Sequence, residues 1–283
     1  MRILLTGKNG QIGYELERSL QGLGEIVALD RRAMDLADLD QVRDVIRRVK
    51  PDLIINPAAY TAVDQAETDT VLAMRINGEA PGVMAQEAKL LGAALIHYST
   101  DYVFDGTKQG PYTEDDPTCP LNSYGRSKLA GEQAIAATGV DHLILRTSWV
   151  YGRRGKNFLL TIQRLAQQRE RLAIVSDQFG APTWCRTIAD STAHIVARHG
   201  NCFGSLSGIY HLTAQGRTSW HGFAGAILAH PDCPGKPQLD TILASEYPLP
   251  APRPANSSLS CARLIDTFGT LPQWDDALAL CLG

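Results

Sequence analysis

Arg2-Ile3-Leu4-Leu5-Thr6-Gly7-Lys8-Asn9-Gly10-Gln11-Ile12-Gly13 opens the chain, and its reading decides the fold. Four apolar or β-prone residues run into Gly7, and Gly10 and Gly13 complete a G-x-x-G-x-x-G spacing. Ile12, Leu16, Leu20 and Leu23 then recur at helical intervals. The pattern predicts strand, glycine turn, helix. Glycines at such a turn let the backbone bend tightly and approach a pyrophosphate, while the helix N-terminus offers free N–H groups to it. A glycine triplet alone is a weak signal, but here Glu25-Ile26-Val27-Ala28-Leu29 follows as a second strand closed by Asp30.

Outward from this stretch, helices and apolar strands alternate. Leu39, Val42, Ile46 and Val49 mark a helix, and Asp52-Leu53-Ile54-Ile55-Asn56 a buried strand. A helical stretch from about Asp64 to Leu91 is interrupted by Gly78, Pro81 and Gly82. Strands are expected at Ala94–Tyr98, His142–Arg146, Leu172–Val175 and Ile209–Leu212, with helices at about Asn157–Arg169 and Arg186–Arg198. Alternation of this kind predicts an α/β fold, a Rossmann-type doubly wound parallel sheet. Prolines crowd Cys233 to Pro254 and mark a smaller C-terminal lobe. The expected division is 1–150 for the dinucleotide-binding domain with a return segment at about 172–212, and 151–171 with 213–283 for a substrate-binding lobe.

Composition bounds the function. The chain has 283 residues, 44% hydrophobic and 20% charged, with a formal net charge of -3. No basic excess is available for nucleic acid, and no apolar run reaches the roughly 20 residues that span a bilayer. A cytoplasmic protein is expected. Cys119, Cys185, Cys202, Cys233, Cys261 and Cys281 are scattered and read as reduced thiols, and His194 and His199 as a surface pair. No metal site is expected.

Chemistry gathers where strands end. Asp30 could accept from a ribose hydroxyl, and the adjoining Arg31 and Arg32 could take a 2'-phosphate, so NADH and NADPH both stay open and dual use is expected. The two arginines read equally well as a solvated loop. Asp35 and Leu36 lie where a third-strand loop would pass an adenine ring. The small residues Ala58 and Ala59, with Tyr60, would let a cofactor lie close to the backbone. Ser99, Thr100 and Asp101 end another strand, and the Thr100 hydroxyl is the better candidate to donate to a carbonyl oxygen gaining negative charge. His97, on the same apolar strand, reads as a packed core histidine. The loop from Asp105 to Pro120 is expected near a substrate, and Trp149 as an apolar wall for a sugar ring.

Tyr124 and Lys128 are four apart, so on a helix they share a face and place a phenol beside an ammonium. That cation is expected to lower the tyrosine pKa toward neutrality.

Gly7/Gly10/Gly13, Ser99-Thr100-Asp101 and Tyr124-x-x-x-Lys128, in this order, resemble the extended short-chain dehydrogenase/reductase superfamily. Ala59-Tyr60-Thr61-Ala62-Val63-Asp64, Ser99-Thr100-Asp101-Tyr102-Val103-Phe104, Arg146-Thr147-Ser148-Trp149-Val150-Tyr151, Asp177-Gln178-Phe179-Gly180-Ala181-Pro182-Thr183 and Arg253-Pro254-Ala255-Asn256-Ser257 narrow the likeness to its dTDP-4-dehydrorhamnose reductase family. The resemblance covers essentially the whole chain. It implies reduction of the C4 ketone of a dTDP-6-deoxy-4-hexulose by NADPH or NADH. Tyr124 would then protonate the C4 oxygen, Lys128 hold the nicotinamide ribose and Thr100 bond the carbonyl. Gly7, Gly10, Gln11, Ile12 and Gly13 would hold the pyrophosphate. Thr61, Val63, Asp101, Phe104 and Trp149 would lie near the sugar, and Arg253 would pair with the diphosphate. Some members dimerise through magnesium held by glutamates. Glu15 fits one such position, but Arg186 stands where another acid is found, so a monomer or a metal-free homodimer is expected. The competing readings are a related nucleotide-sugar reductase or epimerase, and a non-catalytic NADP-binding regulatory subunit.

Overall fold

Short apolar runs that are buried on both faces can only sit in the middle of a layered structure, and that is where they lie. The computed structural model describes residues 1–283. Strands β1 (Arg2–Leu5), β2 (Glu25–Ala28), β3 (Leu53–Asn56), β4 (Ala94–Thr100) and β5 (His142–Thr147) join a sixth strand, Gly208–His211, in one sheet. The spatial order is sixth, β5, β4, β3, β1, β2, and every pairing is parallel. Alternate residues face opposite sides. Ile3, Leu5, Leu53 and Ile55 enter one core with helices Gln11–Ser19 and Cys185–His199, while Leu4 and Ile54 enter the other with helices Leu39–Val49 and Ala80–Leu91.

β1 has β2 on one side and β3 on the other, so the chain reverses its winding direction there and a crevice opens at the strands' carboxyl ends. The glycine turn after β1 and Pro57-Ala58-Ala59 after β3 form its two lips.

The helical run expected from Asp64 to Leu91 is four pieces, the first a single 3-10 turn at Gln65–Glu67. A helix at Thr70–Met74 passes through one π turn, Arg75–Glu79, into Ala80–Leu91. Asn77 in that turn donates to Tyr60 O and Ser127 Oγ and accepts from Tyr60 N, bracing the lip after β3 against the helix Ser123–Thr138. That helix is capped by Asn122, whose side chain accepts from Gly125 N at 2.8 Å. Its first turn presses so closely on Tyr102 that a Cβ at Gly125 would lie 2.2 Å from the Tyr102 carbonyl oxygen.

A third core, with Tyr151, Leu159, Ile162, Phe223, Ile227 and Leu278, belongs to the smaller lobe. The expected return segment needs one correction. Strand Arg171–Val175 lies outside the six-stranded sheet and pairs in parallel with Gln238–Ile242, so the return is made by helix Cys185–His199 and strand Gly208–His211 alone. Only Leu172 of that short strand is buried, and its apolar run gives no sign of which sheet it joins. All six cysteines are free, and no helix is long and apolar enough to cross a membrane.

Candidate active site

The glycine turn is built for close approach. Gly7 has φ +58°, a conformation that L side chains rarely adopt, and a Cβ at Gly13 would lie 2.2 Å from the Gly7 carbonyl oxygen. Gly10 differs, because a Cβ there would meet nothing in the protein but that same oxygen at 3.3 Å. Its bareness serves the cleft. Helix Gln11–Ser19 starts at Gly10 with no side-chain cap and no acid in its first turn, so its leading N–H groups remain for an anion. A cleft of about 470 Å³ runs from this turn past Pro57, Ala58, Ala59 and Thr61 to Tyr98, Ser99, Tyr124 and Lys128. Backbone bare of Cβ, free amides and a long cleft fit the diphosphate and ribose of a dinucleotide.

Beyond the turn, a polar recess is lined by Asn9, Asp30, Arg31, Arg32, Asp35, Asp38 and Gln41. Asp30 Oδ1 accepts from Arg32 N at 3.0 Å and Ala33 N at 3.2 Å. Those amides, Ala33 first, hold its carboxyl below the usual carboxylate range. Arg31 pairs with Asp35 at 3.3 Å. Leu36 faces the other way: it is buried among Val42, Val45 and Ile46, a core residue instead of an adenine contact.

Tyr124 and Lys128 line the cleft's inner end, and the Thr100 hydroxyl reaches the Tyr124 phenol from outside that lining. Thr100, which ends β4, donates to Asp101 Oδ1 at 2.9 Å and accepts from Tyr102 N at 3.2 Å. The Tyr124 phenol lies against the Thr100 hydroxyl and packs edge-on against the Tyr102 ring, with centroids 5.9 Å apart. Its pKa runs opposite to expectation. Burial pushes the phenol up to about 12, with Thr100 opposing and Asp101 reinforcing the rise. The ammonium expected to lower it is engaged elsewhere: Lys128 Nζ donates to the Tyr98 carbonyl at 2.5 Å and lies 3.1 Å from His97 Nε2. Burial in turn lowers Lys128 to about 8, despite Glu132. His97 is packed in the core, as expected, yet it also touches Lys128. Asp101 is buried with Oδ2 unpartnered, and burial pushes its carboxyl up to about 7.

The residues that the resemblance ties to the sugar divide into two groups. Thr61 lines the cleft and Asp101 adjoins Thr100. Trp149 sits at the end of β5 with φ +47° and stacks on Trp220 at 3.5 Å. Phe104 does not reach the cleft. It is fully buried, stacked on Tyr112 at 4.3 Å and edge-on to His211. Val63 lines neither the cleft nor the second cavity, and the Tyr60 hydroxyl donates to Asp69 at 2.9 Å. Arg253, expected on a diphosphate, forks onto Asp64 at 2.8 and 2.9 Å. Partial burial opposes the effect, but Arg253 and the Ala251 amide hold Asp64 below the usual carboxylate range. The loop Asp105–Pro120 turns from the cleft to pair with the C-terminal segment, Tyr112 N donating to Ser258 O and Ser260 N to Tyr112 O.

A second cavity, about 670 Å³, is lined chiefly by residues of the smaller lobe, with Tyr102 joining them from the sheet domain. Phe158, Ile162, Leu165, Trp220 and Tyr247 give it apolar walls, and Arg169, Arg171 and Arg253 bring cations. Sequence reasoning passed over Arg169, Arg171, Trp220 and Tyr247, and nothing in their spacing marks them. Asn77 was equally silent, one polar residue inside a helical run.

Comparison with known proteins adds three findings. The family profile described as RmlD substrate binding domain matches residues 1–283. The chain is similar to the dTDP-4-dehydrorhamnose reductase of Burkholderia thailandensis, 53% identical over 100% of this chain and 98% of that one, and to that of Salmonella typhimurium, 43% identical over 97% and 95%. Among solved structures it is similar to the dTDP-4-dehydrorhamnose reductase of Bacillus anthracis in complex with NADP, with TM-score 0.92, 35% identity and coverage of 99% of this chain and 98% of that chain.

Proposed function

The chain belongs to the RmlD substrate binding domain family, and from that membership and the geometry of the cleft we propose that it reduces the C4 ketone of dTDP-6-deoxy-L-lyxo-4-hexulose to dTDP-L-rhamnose, the last step of dTDP-rhamnose biosynthesis, with NADPH or NADH. The observation that carries the reading is a glycine-lined cleft with Tyr124 and Lys128 in its wall and the Thr100 hydroxyl against the Tyr124 phenol. When bound, the reduced nicotinamide supplies the hydride.

The chain's own residues do the rest. The amides of Gln11, Ile12 and Gly13 hold the diphosphate, and Asp30 accepts from the adenosine ribose. Lys128 holds the other ribose. Tyr124 donates its phenol proton to the C4 oxygen as negative charge develops there, and the raised pKa keeps that proton in place at neutral pH until it is needed. Thr100 donates a second hydrogen bond to the same oxygen, for which its hydroxyl turns from Asp101. Trp149 and Thr61 flank the sugar, and the dTDP end enters the second cavity, its base among Phe158, Leu165 and Tyr247 and its phosphates near Arg169, Arg171 and Arg253.

The smaller lobe, 151–171 and 213–283 together with the rest of strand Arg171–Val175, is thus the substrate side and 1–150 the cofactor side. We also propose a cytoplasmic enzyme, consistent with six free thiols, working as a monomer or a metal-free homodimer.

Loss of reduced-nicotinamide absorbance with dTDP-4-dehydrorhamnose generated in place tests the reaction, with each cofactor in turn. Turnover with both is expected. Tyr124→Phe should bind NADPH normally and lower kcat by roughly 10²–10⁴-fold. A parent enzyme that binds cofactor but leaves this sugar untouched would overturn the substrate assignment.

A further inference from the structure

Lys128 is anchored by two neighbouring groups of β4, and only one of them is main chain. Besides the Tyr98 carbonyl, its ammonium meets His97 Nε2 at 3.1 Å, with His97 0% and Lys128 1% exposed. On the ring's far side, Nδ1 lies 3.1 Å from Asn56 Nδ2, and Asn56 Oδ1 accepts from Thr6 Oγ1 at 2.6 Å. Thr6 Oγ1 also accepts from Ala58 N at 3.3 Å, at the lip of the cleft. Asn56 and Thr6 are buried too, so water does not break this chain.

Counting protons fixes its state. An ammonium has three donors and no acceptor, so His97 Nε2 must accept. A cationic ring is excluded by burial and by the charge on Lys128, which together hold His97 well below the usual histidine range. The neutral ring's proton therefore sits on Nδ1 and needs an acceptor. Asn56 supplies one once its amide is flipped from the orientation in the structure, bringing Oδ1 to the ring and NH2 to Thr6 Oγ1, since the two ends of an amide are assigned from the network around them. Each contact then pairs one donor with one acceptor.

We propose that His97 is a positioning residue for Lys128. As a neutral Nδ1–H imidazole it takes one of the three ammonium hydrogens, the Tyr98 carbonyl takes the second, and the third is left for the cleft. The inference rests on the role given above to Lys128. The titratable and charged groups facing the ammonium are His97 from β4 and, from its own helix, Tyr124 and Glu132, with Asp101 beyond Tyr124. Glu132 is matched by Arg146 of β5, and β1 and β3 bring only Thr6 and Asn56.

Two measurements on the full chain test this. Side-chain ¹⁵N NMR, with His97 assigned through its own Cα and Cβ, should show the neutral Nδ1–H tautomer with no titration from weakly acidic to alkaline pH, with and without NADP⁺. An Nε2–H tautomer, or an imidazolium in that range, overturns the proposal. In kinetics, His97→Gln presents an oxygen that accepts from the ammonium and should keep kcat within about threefold of the parent. His97→Leu should lower kcat roughly 10- to 100-fold with the sugar KM little changed. It should also move the alkaline limb of the kcat profile to lower pH, because an ammonium stripped of an acceptor in a dry site gives up its proton more readily. Equal losses in both variants with an unmoved limb would show a ring that only fills space, and would sink the idea. The NMR readout needs no sugar, so a failed turnover assay counts against the substrate assignment while the tautomer still decides this one.

Discussion

Asp101 carries a cost that the protein accepts beside its acid. Its carboxyl is 3% exposed, Oδ1 takes the Thr100 hydrogen, Oδ2 has no partner, and burial raises its pKa to about 7. A raised folded-state pKa means that the folded chain holds this proton more tightly than the unfolded chain does. Stability is therefore greatest below about pH 4 for this group and is lost as pH rises toward 7. Asp101→Asn keeps the acceptor for Thr100 and removes the charge. It should stabilise the fold at pH 8, by an amount on the order of 2–4 kcal/mol, and the gain should shrink away in acid. Thermal unfolding at both pH values checks this, and a gain equal at both would refute the account. At this scale the sequence was legible where conformation hangs on local spacing, as in the turn of Gly7, Gly10 and Gly13, and it put Tyr124 and Lys128 on one helix without showing which way the ammonium turns. It was mute where the partner is distant, as in His97 with Lys128 or Asp64 with Arg253, 189 residues apart. It misled at Phe104 and Leu36, because a position at a strand's end does not say which way the side chain turns.

Between elements, the helix that bears Tyr124 and Lys128 is tied to β5 by one buried ion pair. Arg146 forks onto Glu132 at 2.9 and 2.7 Å, with both side chains 2–3% exposed and Arg146 Nη1 left without a partner. Removing one member strands the other's charge. Arg146→Met alone should destabilise by about 3–5 kcal/mol, whereas adding Glu132→Leu should recover most of that. Denaturant titration of the two variants tests it, and a double mutant no better than the single would argue that the pair itself is favourable. The strands were legible as apolar runs of four to seven residues because both faces of a parallel sheet are buried. The pairing of Arg171–Val175 with Gln238–Ile242 was not, since only Leu172 of the earlier strand is buried and pairing leaves no local trace.

For the molecule as a whole, the surface that could be shared with a second copy or a metal bears on assembly. No group of three or more acidic, histidine or cysteine side chains is gathered to hold an ion, and Arg186 pairs with Asp190 at 3.5 Å, near Ser19. Exhaustive EDTA treatment should leave kcat and the gel-filtration volume unchanged. A stoichiometric magnesium retained through gel filtration would contradict this.

The segment Pro252–Asn256 ties together elements far apart in the chain. Arg253 reaches Asp64, the Asn122 side chain that caps the Tyr124 helix donates to Pro252 O, and Asn256 donates to Lys108 O and Gly110 O. These contacts span 130 to 189 residues. On the ribosome the sheet's first five strands emerge early and can pair as they appear, but the wall of the second cavity waits for Tyr247, Leu249 and Arg253. A nascent chain stalled before Pro252 would thus present a formed cofactor cleft beside a second cavity still missing Arg253.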